Sequence, residues 1–389
     1  MGSFLFPELD PSSQVALERL VRVIDEVFPL PARFRATLAR DVADLSRLLT
    51  SERSRRNDGY LGEAAHLSAY LRYFLPWNVF RLVRLLGSLP LQFQDQDFLT
   101  DVGSGPLTFP LALWIARPDL RQRRLTFRCL DRTGKILEAG KRIFSALTKE
   151  AGEPWTMVTI RGSLGDPIRG DGAALVTAIN LFNELFWDSR APLWSFAEKN
   201  GGLLNSLASP SGSILVVEPG IPRSGAFIAE LRSALLREGR LPLAPCPHGG
   251  PCPLQSESRG AKWCHFVFET DSAPASLKKL SIAAGIPKER ATLSFLFAGP
   301  RTPEAKPVEP AANLRVISDP FPLDRGRYGR YACAEWGLTL ITGSRSALEA
   351  SPSGLLLGLP KNLPSPATRR DAERDKKSGA LIIDRSLLE

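Results

Sequence analysis

The stretch that decides the fold is D-V-G-S-G-P-L-T, Asp101 to Thr108. A short apolar run, Phe98–Val102, leads into it and reads as a strand. Leu107–Ala116 leaves it and reads as a helix. Gly103 and Gly105 let the backbone turn tightly and come close to a ligand. The helix that follows offers unpaired N–H groups at its start. Outward from this turn the alternation continues. Leu125–Asp131 is a strand and Gly134–Lys149 a helix. Trp155–Ile160, Ala174–Ile179 and Ser213–Glu218 are further strands. Ala191–Leu207 is partly helical, Gly225–Arg237 is a helix, and His265–Glu269 and Leu293–Phe297 complete the strand candidates. Strands alternating with helices predict an α/β fold with a parallel sheet covered on both faces.

A ligand of such a sheet lies beyond the carboxyl ends of its strands. Asp131, the last residue of the second strand, has the acidic side chain that suits the two hydroxyls of a ribose. A dinucleotide fingerprint would place a third glycine at Thr108 and its acid about 20 residues on. Asp131 instead lies 26 residues beyond Gly105. An acid two residues before the first glycine, here Asp101, resembles the first motif of S-adenosylmethionine-dependent methyltransferases. The predicted cofactor site is Asp101, Gly103, Gly105 and Asp131, with Asp101 alternatively holding the turn itself. The fourth strand runs into L-F-N-E-L-F, where Asn183 and Glu184 are candidates for orienting an acceptor. Helix capping and surface charge are the alternative roles for this pair.

The flanks differ from this core. Residues 1–95 read as a helical region. Asp10–Pro11 is an N-cap with proline at the first helical position. Apolar stripes follow over 17–28 and 34–49, and a third helical stretch over 60–75, rich in Tyr and Phe, stops before Pro76. Residues 96–240 form the core. Residues 241–345 hold a cysteine insertion, the last sheet strands and a small β extension made of Leu314–Ser318, Gly329–Cys333 and Leu338–Thr342. Residues 346–389 read as a mobile tail.

The composition is globular: 389 residues, 43% hydrophobic and 23% charged. Wholesale disorder and a disulfide-rich miniprotein are excluded. No run of uncharged apolar residues is long enough to span a membrane. The N-terminus has no basic segment and turns acidic at once, which argues against a signal peptide. The net charge is +9, of which +6 falls in residues 117–142. That segment predicts a phosphate-contacting surface, with a solvated helix face as the plainer reading.

Five cysteines are present, and Cys246, Cys252 and Cys264 crowd together with His248 and His265 beside them. In a reducing compartment such a group reads as metal-binding or catalytic. The spacings exceed those of paired zinc ligands. Proline directly after Cys246 and after Cys252 is closer to iron–sulfur usage. Cys333 is the natural fourth ligand, because Cys129 lies inside a strand. Zinc and unligated thiols are the alternatives.

P-C-P-H-x-x-x-C-P-L and W-C-H-F, downstream of a strand ending E-P-G, together with D-V-G-S-G-P-L-T and N-L-F-N-E-L, resemble the small-ribosomal-subunit-associated methyltransferase-like family. That family includes the mitochondrial methyltransferase-like protein seventeen. The resemblance implies a Rossmann-like methyltransferase domain, S-adenosylmethionine binding and a 4Fe–4S cluster held by Cys246, Cys252, Cys264 and Cys333. One departure is Pro106, where family members commonly carry a further glycine. The expected function is S-adenosylmethionine-dependent methylation of small-subunit rRNA of the 16S type. The alternative is a non-catalytic iron–sulfur assembly factor that binds this rRNA through a vestigial cofactor pocket. An NAD-linked oxidoreductase fits less well, for want of the third glycine. A cytoplasmic monomer with no membrane association is expected.

Overall fold

The structure, a computed structural model, describes residues 4–52, 63–150, 152, 155–186, 191–255, 262–301, 313–359 and 373–389. In chain order the helices are α1 (Pro11–Val27), α2 (Ala32–Arg35), α3 (Leu38–Leu49), α4 (Ala64–Ala69), α5 (Leu75–Leu86), α6 (Thr108–Ala116), α7 (Gly134–Thr148), α8 (Phe182–Leu185), α9 (Leu193–Leu207), α10 (Pro222–Arg237), α11 (Ala275–Ala283) and α12 (Arg345–Glu349). The strands are β1 (Phe98–Val102), β2 (Thr126–Asp131), β3 (Thr156–Arg161), β4 (Ala173–Ile179), β5 (Ala208–Pro219), β6 (Arg240–Ala244), β7 (Phe266–Glu269), β8 (Arg290–Pro300), β9 (Asn313–Val316), β10 (Phe321–Pro322), β11 (Tyr328–Ala334), β12 (Gly337–Gly343), β13 (Leu356–Gly358) and β14 (Leu381–Asp384). They divide into two compact units.

One unit comprises Pro7–Arg169 with Glu269–Ala291. Its strands β3, β2 and β1 are parallel, with Asp101 opposite Cys129 and Asp131 opposite Arg161. The helical N-terminal region is part of this unit. α1 is capped by the Asp10 carboxylate, which accepts from the Ser13 N–H, and it buries Leu17, Leu20, Val23 and Ile24. α1 packs on α7, and α5 packs on α6. The apolar stripes of the N-terminal helices thus cover the helices that flank the glycine turn. No boundary falls at residue 95, because these stripes have no core of their own.

Pro76 does not end the third helix. Residues Tyr70–Phe74 form one π-helical turn, in which the Leu75 N–H donates to the Tyr70 carbonyl. α5 continues directly from it with Pro76 in its first turn. The wide turn adds one residue, so the proline falls where its missing N–H breaks no ladder bond. Tyr60, assigned to the same stretch, lies outside the described residues.

The other unit comprises Met1–Phe6, Gly170–Phe268 and Thr292–Glu389. β4 and β5 are parallel, and β8 runs antiparallel to β5 and to β6. A second sheet has the order β13-β9-β11-β12-β14, with β10 on β11. The expected β extension is therefore a six-stranded sheet. Its core of Leu314, Val316, Ile341, Leu357, Leu381 and Ile383 draws on the C-terminal stretch. Residues 346–389 are not simply a tail: β14 pairs in parallel with β12, and β13 pairs with β9. Their apolar residues are too few to show a periodicity, but each completes a layer started elsewhere.

Candidate functional site

The glycine turn is built as its residues require. Gly103 and Gly105 have φ of 69° and 55°, and Leu107 follows in the same left-handed region at 58°. The two glycines carry the turn at no steric cost, whereas Leu107 is held there by full burial. Asp101 is 1% exposed, and its carboxylate accepts from the Ser104 hydroxyl at 2.6 Å. It therefore braces the turn from within. Asp131 crosses from the neighbouring strand. One carboxylate oxygen accepts from the Gly105 N–H at 3.0 Å, and the other accepts from the Thr133 N–H at 2.8 Å. Burial pushes the Asp131 carboxyl upward, against those two N–H donors and the Arg132 charge. At the carboxyl ends of β1 and β2 the turn is thus held by two acids, Asp101 through Ser104 and Asp131 through Gly105.

Two neighbours of the turn escaped sequence reasoning. The Tyr70 hydroxyl, on the π turn, lies 4.0 Å from where a Cβ on Gly105 would sit. Gly140, in the middle of α7, backs the turn. A Cβ there would stand 2.3 Å from the Pro106 carbonyl carbon. Pro106 stiffens the turn, and the absent side chain at Gly140 lets α7 lie directly against it. The available signal was an isolated glycine inside a helical pattern, which implies a packing reason.

The basic segment 117–142 is partly committed inside the unit. Arg117 donates to the Leu89 and Leu91 carbonyls and pairs with Asp119. Arg121 donates to the Trp114 carbonyl, and buried Arg128 covers the Phe98 ring. Arg142 donates to the Val27 carbonyl over the Phe28 ring. Arg123, Arg132, Lys135 and Lys141 are exposed.

In the other unit, Asn183 and Glu184 lie on α8. Glu218, the fully buried acid near the end of β5, accepts from the Phe182 N–H at 2.7 Å and the Asn183 N–H at 2.9 Å. It holds the N-L-F-N-E segment against β5, and Asn180 enters that segment with a φ of 54°. Asn183 is buried and Glu184 half-buried. The capping acid is Glu218, which sequence reasoning quoted only as part of E-P-G.

Cys129 is fully buried in β2, and burial with the nearby Asp101 charge pushes its thiol far up. Cys246, Cys252, Cys264 and Cys333 are neighbours. The Cys264 thiol senses Cys246 and Cys252, and Cys333 senses all three. Burial and Cys246 push the Cys252 thiol up to about 11. His248 Nε2 lies 3.4 Å from Cys333 Sγ, and burial together with Arg232 pulls His248 down to about 4. Among the described residues no three His, Cys, Asp or Glu side chains form a ready-made metal-ion site. The four thiols converge without forming a cage for a single ion.

A buried cation tests whether an anionic group fits there. Arg232 is 3% exposed, and its Nε donates to Cys246 Sγ at 3.2 Å. Its Nη1 has no partner among the described residues. Four thiolates around a metal centre carry the negative charge this guanidinium lacks, so the donor set fits such a group. α10 brings Arg232 here because Gly225, two turns earlier on the same face, has no side chain. A Cβ at Gly225 would stand 2.7 Å from Trp263 Cδ1 and 2.9 Å from the Cys264 carbonyl oxygen.

Parallel strands joined through helices, with a glycine turn closed by the acid of the next strand, define a Rossmann-like α/β protein. The chain belongs to the family described as mitochondrial small ribosomal subunit Rsm22, which it matches over residues 69–322. No curated protein matches the sequence significantly. Among solved structures, the chain is similar to a methyltransferase from Pyrococcus furiosus at 8% identity and a TM-score of 0.31, covering 53% of this chain and 77% of that one. A methyltransferase from Geobacter sulfurreducens, in complex with S-adenosyl-L-homocysteine, matches at 13% identity and a TM-score of 0.33, over 57% and 91%. The 16S rRNA methyltransferase KamB matches at 14% identity and a TM-score of 0.31, over 54% and 90%. Among the described residues no helix is long and apolar enough to cross a membrane.

Proposed function

We propose that this chain binds S-adenosylmethionine at the glycine turn and acts on small-subunit rRNA. The observation that carries the reading is the Asp131 carboxylate bonded across to the Gly105 N–H, in a chain of a small-ribosomal-subunit family. Gly103 and Gly105 present backbone to the cofactor, Asp131 faces its ribose hydroxyls, and Asp101 acts through Ser104 to keep the turn in shape. Bound S-adenosylmethionine supplies an electrophilic methyl group. Asn183 and Glu184 orient the acceptor, and the rest of the catalysis is positioning. Exposed Arg123, Arg132, Lys135 and Lys141 contact rRNA phosphates. Cys246, Cys252, Cys264 and Cys333 hold a 4Fe–4S cluster, supported by the uncompensated charge of Arg232. The chain works in the cytoplasm.

One observation favours a second reading, an rRNA-binding assembly factor without catalysis. Both Asp131 oxygens already accept backbone N–H bonds, and the one thiol beside the turn, Cys129, is buried and inert. Calorimetric titration separates the readings. Micromolar S-adenosylmethionine binding that Asp131→Ala weakens at least tenfold supports a working cofactor site. Undetectable binding by wild type, with salt-dependent binding to 16S-type rRNA retained, supports the assembly factor.

A further inference from the structure

We propose that Arg232 is a positioning residue of the cysteine site, which shapes the Cys246–Gly250 loop and offsets the negative charge of its thiolates. This rests on the cluster reading above.

The argument begins with charge. Arg232 is buried in α10, and among the described residues no carboxylate pairs with it. A buried guanidinium with an unsatisfied donor is costly, and an anion beside it offsets that cost. Its five N–H donors are distributed around the site. Nη2 donates to the His248 carbonyl at 2.9 Å and to the Gly250 carbonyl at 2.7 Å, which curls the loop after Cys246 around it. Nε donates to Cys246 Sγ at 3.2 Å, and Nη1 is buried without a partner. The same charge acts on Cys252, Cys264 and Cys333. Four neutral thiols would leave this cation uncompensated, whereas four thiolates on a metal centre neutralise it.

A second buried cation, Arg315, stands near Cys246. Arg315 of β9 is fully buried and pairs in register with Cys333 of β11. Its Nε donates to the Pro245 carbonyl at 3.2 Å, so it holds the residue before Cys246. The loop that carries Cys246 is thus clasped by one arginine from a helix and one from a strand. Hydrogen bonds to ligand sulfur and nearby positive charge both raise the reduction potential of an iron–sulfur cluster.

The test uses the full chain purified anaerobically as wild type, Arg232→Gln and Arg232→Lys. Iron and sulfide content and the visible spectrum report loading. A redox titration followed by electron paramagnetic resonance reports the midpoint potential. Arg232→Gln is expected to hold less reduced cluster, by at least tenfold at a fixed poise, which is about 59 mV for a one-electron couple. Arg232→Lys, which keeps the charge, should recover most of that loss. If Arg232→Gln folds with a wild-type far-ultraviolet spectrum yet loads no iron, while Arg232→Lys loads, the positioning role also stands. An iron-loaded Arg232→Gln with an unchanged potential overturns this inference alone. A wild type without iron overturns the cluster reading, and this inference falls with it.

Discussion

Replacing Gly140 with alanine should loosen the glycine turn from behind. Glycine inside a helix normally costs about 1 kcal/mol relative to alanine, so the substitution would be stabilising on an open face. Here the new Cβ would stand 2.3, 2.5 and 2.7 Å from the Pro106 carbonyl carbon, oxygen and Cα. Carbon atoms in contact sit about 3.5–4.0 Å apart, so helix and turn must separate by on the order of 1 Å. Backbone lies on both sides, and no side chain can rotate away. Overpacking of this kind costs about 1–3 kcal/mol. A backbone contact as short as 2.3 Å puts the cost at about 2–3 kcal/mol, so after the propensity gain a net loss of about 1–2 kcal/mol remains, a fall of a few °C in melting temperature by the rule of about 2–4 °C per kcal/mol. The displaced turn should also bind S-adenosylmethionine about tenfold more weakly, about 1.4 kcal/mol. Gly134 provides the control at the start of the same helix, because nothing lies within 4 Å of its built Cβ. Gly134→Ala should melt at or slightly above wild type. Circular dichroism melts and calorimetric titration of both variants decide the matter. If Gly140→Ala also melts at or above wild type, α7 does not press on Pro106 and the reasoning fails.

Two further expectations concern acids at helix starts. Asp10→Ala removes the cap of α1 and should cost about 1 kcal/mol in urea unfolding at neutral pH. The Ser12 and Ser13 hydroxyls hold the Asp10 carboxyl at about 2, below its ordinary 3.8. The cap's contribution is therefore complete above 3.8 and fades as pH falls through about 2, and so should the gap between variant and wild type. A gap that persists undiminished at that pH would rule out the ionised cap. Glu218→Gln turns an acceptor of two backbone N–H bonds into a group that can face one of them with its own donors. It should cost about 2–3 kcal/mol in urea unfolding, and an unchanged midpoint would show that α8 does not lean on this carboxylate.

Much of the glycine turn was legible from local chemistry. Left-handed backbone at Gly103 and Gly105, and an acid at the end of β2, follow from residue type and strand period. Asp101 shows where that reasoning divides: its position two residues before Gly103 was clear, but its bond to Ser104 depends on how the turn folds back. The extent of the basic surface was not legible. Charge counts cannot tell that Arg128 lies over Phe98 or that Arg142 reaches the Val27 carbonyl. Pro76 misled for a related reason: a proline ends a regular helix, but the π turn before it moves the hydrogen-bond register by one residue.

The sequence by itself determined the alternation of strands and helices, the glycine turn with its acid, and the crowding of Cys246, Cys252 and Cys264. These follow from short-range rules of period, turn geometry and spacing. Only the tertiary structure decided that α7 touches the turn at Gly140, that Glu218 holds the Asn183 segment, and that Arg232 lies buried against Cys246. It also decided that the C-terminal residues supply strands to a second sheet. Each of these is a contact between chain segments far apart in sequence. Its energy comes from excluding water and satisfying a buried polar group, and no local pattern of residues records that partnership.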